Sequence, residues 1–348
     1  MIGFNYGNPY SGRMVTPERM RQTRAMLDTP VKRGAVMEFP DRYTDCPSVF
    51  RYGERWIMTF IAISKDTSVS GYETHYAESD DLLSWHYRGP LLTRDETREW
   101  DSKQIAGYAA LYDTAPGAGC RLTPENGRYR MTYLAGASDG YEPDPLLMGV
   151  VSAKDPTDPA SYTRCARPIL TPNDPDARFF ETRTLYKSAV VRDEERLTGY
   201  PFVMFYNAKG YDGRERIYAA VTDDPELERW IRYGDRPVLD DATGDPDCLI
   251  TADPMLMRER DGLWIMNFMK CTRSRSAFDT FACSWDLIHW TEWMGEPTVA
   301  PSKDDPDENL YAHKPWIVTW EGRVYHFYCA CTSGENPRRY IALATDFS

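Results

Sequence analysis

The sequence has no apolar run approaching the ~20 residues of a membrane span, and no basic segment followed by an apolar stretch opens it. A cytoplasmic protein without membrane contact is the expectation. It also lacks a basic excess, with 53 Asp and Glu against 41 Lys and Arg and a formal charge of −12. Gripping a phosphate backbone needs a positive surface, so nucleic acid is not an expected partner, and a neutral or cationic ligand fits better. The 8 cysteines lack the paired spacing of a zinc site. Cys329 and Cys331, two positions apart, share one face of a strand, where they pack as reduced thiols. Helical patterning is scarce too. Thr16-Pro17-Glu18 is the one clear helix start, with Thr16 as N-cap and Pro17 at N1, and it predicts a helix to about Leu27, before Pro30. Met20, Ala25 and Leu27 make a weak apolar face, which predicts a surface helix, with a homodimer contact as its alternative use.

What the chain does have is aromatic strand. Of its 348 residues, 42% are hydrophobic and 13% aromatic, enough for a large core. From Val31 onward one unit recurs: an apolar strand start, a Gly-centred turn, an aromatic strand, then an Asp-rich turn ending in Trp. Ser48-Val49-Phe50 pairs in this way with Trp56-Ile57-Met58, and Pro254-Met255-Leu256 with Trp264-Ile265-Met266. Aligned on Pro47, Tyr108, Ser188, Pro254 and Pro315, the units start 61, 80, 66 and 61 residues apart. Short strands at that period read as propeller blades. The expected fold is therefore all-β, a five-bladed β-propeller over residues 31–348, with residues 1–30 as an N-terminal extension bearing the short helix. The last unit stops one strand short, and an unpaired edge exposes backbone groups. Residues 31–39 are expected to close the ring against it. Asp80, Asp81, Asp223, Asp224 and Asp286 sit in turns where their side chains can hold backbone N–H groups, a structural role.

Innermost strands of a propeller line its channel, and their starts face one mouth, so site residues are sought there. Asp45 and Asp253 precede apolar strands, where a carboxylate without a purpose costs stability. His313 and Lys314 precede Pro315-Trp316 in the same setting. Tyr186 and Lys187 mark the third start, as ligand contacts or as partners that neutralise the acids. Glu181 and Asp101 lie just upstream of the third and second starts, each with Arg or Lys close by, so a solvated ion pair is their alternative.

Several of these segments resemble a known group. The Ser-x-Asp-Leu-x-x-Trp turns, the Ala252-Asp253-Pro254 start and strands such as Pro201-Phe202-Val203-Met204-Phe205-Tyr206 are similar to the five-bladed propeller glycosidases, glycoside hydrolase families 43, 32, 62, 117 and 130. The resemblance covers nearly the whole chain from Val31. It implies a glycoside hydrolase, exo-acting on a plant or algal oligosaccharide. Such chemistry needs a proton for the leaving oxygen and a carboxylate opposite it. By resemblance Asp45 matches the base or nucleophile, although it stands two residues before Pro47 rather than next to it. Asp253 matches an Asp that orients substrate or tunes a pKa. The third-blade register of the acid Glu is taken by Tyr186, which leaves Glu181, five residues upstream, or His313. Family 117 is described with a late-blade His as acid, and His313 is slightly favoured because imidazole titrates near neutrality. Lys187, Tyr186, Asp101, Tyr108, Lys314 and Trp316 are the expected substrate contacts, with Tyr43 and Tyr311 as further rings able to stack on a sugar. No cofactor is certain and no metal motif is visible, but a channel-bound calcium or other divalent metal is compatible with such folds. The alternatives are a phosphorylase of the same fold, with Arg273 and Arg275 as phosphate-binding cations, and a non-catalytic carbohydrate-binding propeller.

Overall fold

Thr16 caps the α-helix α1 (Pro17–Met26) through its hydroxyl, which accepts from the Arg19 N–H at 3.3 Å. This belongs to a computed structural model that describes residues 13–66, 71–240, 247–273 and 276–348. The helix begins and ends where the sequence predicts. It is more firmly seated than a surface helix, because Met20, Thr23 and Leu27 are all buried. Arg19 pairs with Glu259 at 2.9 Å and with Asp261 at 3.2 Å, and Arg24 donates to the Pro297 carbonyl at 3.2 Å. The helix is thus docked on its own chain.

The other long elements are strands in antiparallel meanders. The first runs through β2 (Arg42–Tyr52), β3 (Arg55–Ser64), β4 (Tyr72–Ser79) and β5 (His86–Leu92), after the separate strand β1 (Val31–Met37). The second comprises β6 (Gln104–Ala110), β7 (Tyr129–Gly136), β8 (Leu147–Ala153) and β9 (Thr163–Arg164). The third comprises β10 (Thr184–Arg192), β11 (Phe202–Lys209), β12 (Glu215–Thr222) and β13 (Ile231–Tyr233). The fourth comprises β14 (Cys248–Arg258), β15 (Trp264–Thr272), β16 (Ala277–Ser284) and β17 (Thr291–Glu292). The last comprises β18 (Tyr311–Trp320), β19 (Arg323–Cys331) and β20 (Arg339–Thr345), and its fourth strand is β1, with Val31 opposite Thr345 and Ala35 opposite Ala342. The pairing of β1 with the C-terminal strand is the one that the missing edge required.

Short parallel bridges join neighbouring meanders at their inner ends, Glu215 opposite Ile250 and Ala277 opposite Tyr311. The Asp-rich turns have the structural role read from the sequence. Asp81 Oδ1 accepts from the Leu83 and Ser84 N–H groups, both at 2.8 Å, and Asp286 Oδ1 accepts from Ile288 at 3.0 Å and His289 at 2.8 Å. Each turn sends a leucine inward at positive φ: Leu82, Leu227 and Leu287, at 65°, 59° and 63°. Such a conformation costs roughly 1–3 kcal/mol away from glycine. Burial of the leucine side chain, worth about 1.5–3 kcal/mol, offsets it.

Candidate active site

Four of the five innermost strands break their ladder at corresponding positions. Register shifts fall between Asp45 and Ser48 in β2, Leu185 and Ser188 in β10, Ala252 and Met255 in β14, and His313 and Trp316 in β18. In three of them a proline lies inside the break, where it has no N–H to give to the ladder. The residue before that proline adopts positive φ: Cys46 at 46°, Asp253 at 60° and Lys314 at 68°. A bulge re-aims side chains, and strained backbone of this kind collects at functional sites. By contrast β6 pairs without interruption from Gln104 to Ala110.

The bulges open onto one cavity of about 320 Å³. It collects seven of the expected site residues: Asp45, Asp253, His313, Lys314, Lys187, Tyr186 and Tyr108. Further polar residues line it that sequence reasoning did not select, among them Tyr72, Tyr141, Glu142, Asn207, Glu215 and Arg339. Glu142 also adopts positive φ, at 49°, on the loop between β7 and β8.

Asp45 is the most strongly bound acid in the cavity. Its Oδ2 meets Lys314 Nζ at 2.8 Å and an Arg339 guanidinium nitrogen at 3.2 Å, while Oδ1 accepts from the Cys46 N–H at 2.9 Å. Burial pushes its carboxyl upward, but Lys314 and Arg339 outweigh burial and hold it well below the usual carboxylate range. Asp45 is therefore ionised throughout the physiological range.

Glu215 is its opposite. The side chain is buried at the start of β12, with Lys209 Nζ 3.0 Å from Oε1 and the Asn207 amide donating to Oε2 at 3.1 Å. Burial raises its carboxyl to about 7, with Lys209 opposing the rise and Glu142 and Asp253 adding to it. Asn207 also accepts from the Asp253 N–H at 3.3 Å, so one amide ties both acids into a single arrangement. Lys209 in turn donates to the Tyr186 hydroxyl at 3.0 Å. One carboxyl held ionised and another holding its proton near neutrality is the pattern of a paired acid and base.

His313, the favoured proton donor of the sequence reading, is buried in the cavity wall. Burial pushes its imidazole down to about 3, helped by Lys314 and opposed by Asp45, so the ring is neutral. Its Nδ1 lies 3.0 Å from the Cys329 carbonyl, which only accepts, so the one ring proton is already committed. Three other expected site residues lie outside the cavity. Glu181 is fully buried between Arg232 at 2.8 Å and Arg178 at 3.4 Å and accepts from the Tyr206 hydroxyl at 2.7 Å. Asp101, also buried, binds Arg98 at 2.5 Å and the Tyr133 hydroxyl at 2.7 Å. Trp316 points the other way along β18, into the core against Tyr112, and donates to the Val49 carbonyl at 2.6 Å. The break in the ladder between His313 and Trp316 re-aims the chain at this point.

Of the two arginines considered for phosphate, Arg273 does not line the cavity and Arg275 lies outside the described residues. Calcium takes six to eight oxygen ligands. The one cluster of metal-ligating atoms among the described residues is His313, Cys329 and Cys331, a nitrogen and sulfur set that does not fit calcium.

No protein-family model and no curated protein sequence matches the chain. Solved structures do match. One described as "Glycoside hydrolase" superposes with a TM-score of 0.88 at 36% identity, covering 96% of both chains, and a complex of BT0996 and RGII matches with the same figures. Zg3597, a family 117 glycoside hydrolase produced by the marine bacterium Zobellia galactanivorans, gives 0.60 at 13% identity over 92% of this chain and 91% of its own, a likeness of fold alone. With relatives at 36% identity along almost its full length, the chain belongs to the glycoside hydrolases of the β-propeller fold and is a glycosidase.

Proposed function

We propose that the five meanders form a five-bladed propeller and that the enzyme removes a terminal sugar from an oligosaccharide of the RGII type. Glu215 is the general acid and Asp45 the ionised carboxylate across the sugar. Burial, with Glu142 and Asp253 adding to it, keeps Glu215 protonated, and Asn207 holds Glu215 and Asp253 in register. The observation that carries this reading is the contrast inside one cavity between Asp45, clamped by two cations, and Glu215, whose burial outweighs its single lysine partner. Two carboxyl groups in such different environments are what glycoside cleavage requires. A cavity of about 320 Å³ lies at the small end of ligand pockets, roughly 300–1,000 Å³, which supports an exo-acting enzyme that seats one sugar. The relative in complex with RGII supports the substrate class.

The chemistry follows from the protonation states. Glu215 gives its proton to the glycosidic oxygen as the bond to the anomeric carbon breaks. Asp45, already ionised, stabilises the positive charge that develops on the sugar or delivers water to it. The decisive test compares Glu215→Gln and Asp45→Asn on an aryl glycoside with a good leaving group and on an oligosaccharide. Loss of the acid harms the poor leaving group by roughly 10²–10⁴-fold and the good one far less. Equal losses on both substrates, or none, would remove Glu215 from the role.

A further inference from the structure

We propose that His313, Cys329 and Cys331 form an inhibitory site for a soft, thiolate-binding cation such as Zn²⁺ or Cd²⁺, built into the wall of the catalytic cavity. Strand pairing assembles the set, which is why the cysteine spacing alone does not show it. His313 on β18 stands directly opposite Cys329 on β19, and Cys331 follows two positions on, on the same face of that strand. One ring nitrogen of His313 and the two Sγ atoms all lie within 4.8 Å of one another, and the two sulfurs are 4.0 Å apart. Two thiolates bound to one zinc at ~2.3 Å with tetrahedral angles stand about 3.8 Å apart, so a small inward movement closes the set. The His313 ring is held by its hydrogen bond to the Cys329 carbonyl, the kind of outer partner that orients a ligating imidazole.

One nitrogen and two sulfurs select zinc, cadmium or copper(I), whereas calcium and magnesium take oxygen ligands. Three protein ligands leave one tetrahedral position for water. All three side chains are buried, yet an ion can reach them, since His313 lines the catalytic cavity and Cys331 lines an adjoining groove of about 390 Å³. Binding releases one proton from each thiol as each metal–sulfur bond forms. A divalent ion with two thiolates is then neutral, so it is not repelled by the neighbouring cations. Those neighbours are the groups that clamp Asp45. Arg339 stands opposite Cys331 in the ladder between β19 and β20 and donates to Asp45, as does Lys314, the residue after His313. Cys329 Sγ also lies 3.7 Å from the carbonyl of Thr44, the residue before Asp45. Drawing the two sulfurs and the imidazole onto one ion therefore displaces the surroundings of the proposed catalytic carboxylate, and inhibition follows.

The test titrates the reduced, metal-free enzyme with Cd²⁺, whose bonds to thiolate absorb in the ultraviolet. The expected result is one ion per chain with the absorbance of two cadmium–thiolate bonds, unaffected by an excess of calcium. Cys331→Ala should weaken that binding by more than the roughly 10–100-fold that loss of an outer-shell partner costs. In parallel, Zn²⁺ should lower kcat/KM on an aryl glycoside roughly tenfold or more in wild type, the scale of a displaced catalytic group. Cys331→Ala, measured against its own metal-free rate, should resist it. An absorbance of one cadmium–thiolate bond or none, a band that persists in Cys331→Ala, or binding that leaves kcat/KM unchanged overturns the proposal. The wild-type absorbance per bound ion decides the ligand set if the variant fails to fold. Cadmium binding is read without substrate, so a wrong proton donor leaves this result untouched.

Discussion

Lys209 and Glu215 face each other across β11 and β12, with Nζ and Oε1 3.0 Å apart. The lysine is the main influence pulling the Glu215 carboxyl down, against burial and two neighbouring acids that push it to about 7. With Glu215 as the proposed acid, that balance is expected to set the working pH range of the enzyme.

Since the acid must carry its proton, activity is present below about pH 7 and falls as pH rises through that value. Removing a neighbouring charge moves the limb in a direction fixed by sign. Asp253→Asn takes away a negative charge, eases deprotonation of Glu215 and shifts the alkaline limb down. Lys209→Met takes away a positive charge and shifts it up. A pH profile of kcat/KM for the three proteins checks both directions, and an alkaline limb that stays in place in both variants refutes Glu215 as the titrating group.

Asp45 carries a stability consequence separate from catalysis. Its ion pair with Lys314 spans 269 residues and joins the first and last meanders. Truncating one partner of a buried pair leaves the other charge uncompensated, at a cost of about 3–5 kcal/mol. Asp45→Asn should therefore lower the urea midpoint, and Lys314→Met in the same chain should restore part of it, with Arg339 still lacking its carboxylate. A double variant no more stable than the single one would show that the pair is not the source of the loss.

Glu181 offers the contrasting case. It binds Arg178, Arg232 and Tyr206 in a buried network away from the cavity. Glu181→Gln is expected to destabilise the fold by several kcal/mol while the folded enzyme keeps its kcat. A large fall in kcat for protein that remains folded would return Glu181 to the active site.

The period of the strands, the helix cap and the closing role of residues 31–39 were legible in the sequence, because each follows from local patterning or from an edge that must be paired. So was the position at one cavity of Asp45, Asp253 and His313, since bulges at Pro47, Pro254 and Pro315 mark where side chains leave the regular ladder. The same marks explain why Asp45 stands one position further from its proline than Asp253 does. Cys46, at φ 46°, occupies the strained position in the first meander that Asp253 occupies in the fourth. Glu215 was missed because it starts a third strand, between Arg214 and Arg216, and looks like part of a solvated charge run. Its burial depends on the parallel bridge to Ile250, a contact between meanders that no single-strand pattern encodes. Glu142 and Tyr141 lie on a loop, where periodicity carries no information. Glu181 and Asp101 misled for the converse reason. Arginine neighbours suggested solvated pairs or site residues, and tertiary packing made them core networks instead.

Lys187 provides the last prediction. Its ammonium group is buried, faces the Tyr108 ring at 5.9 Å and has no hydrogen-bond partner among the described residues, although the residue lines the catalytic cavity. A buried ammonium without a hydrogen-bond acceptor is unfavourable for folding even with the Asp279 charge in range, and its acceptor is expected to arrive with the substrate. Lys187→Met keeps the length of the side chain and removes the charge. It should raise the thermal midpoint by several degrees, corresponding to about 1–3 kcal/mol for relief of an unsatisfied group, and at the same time raise KM at least tenfold. Stability and substrate affinity are thus expected to move in opposite directions in one variant, a combination that a purely structural lysine cannot produce. Thermal unfolding together with steady-state kinetics decides it. A variant that is less stable and has an unchanged KM would assign Lys187 to the scaffold.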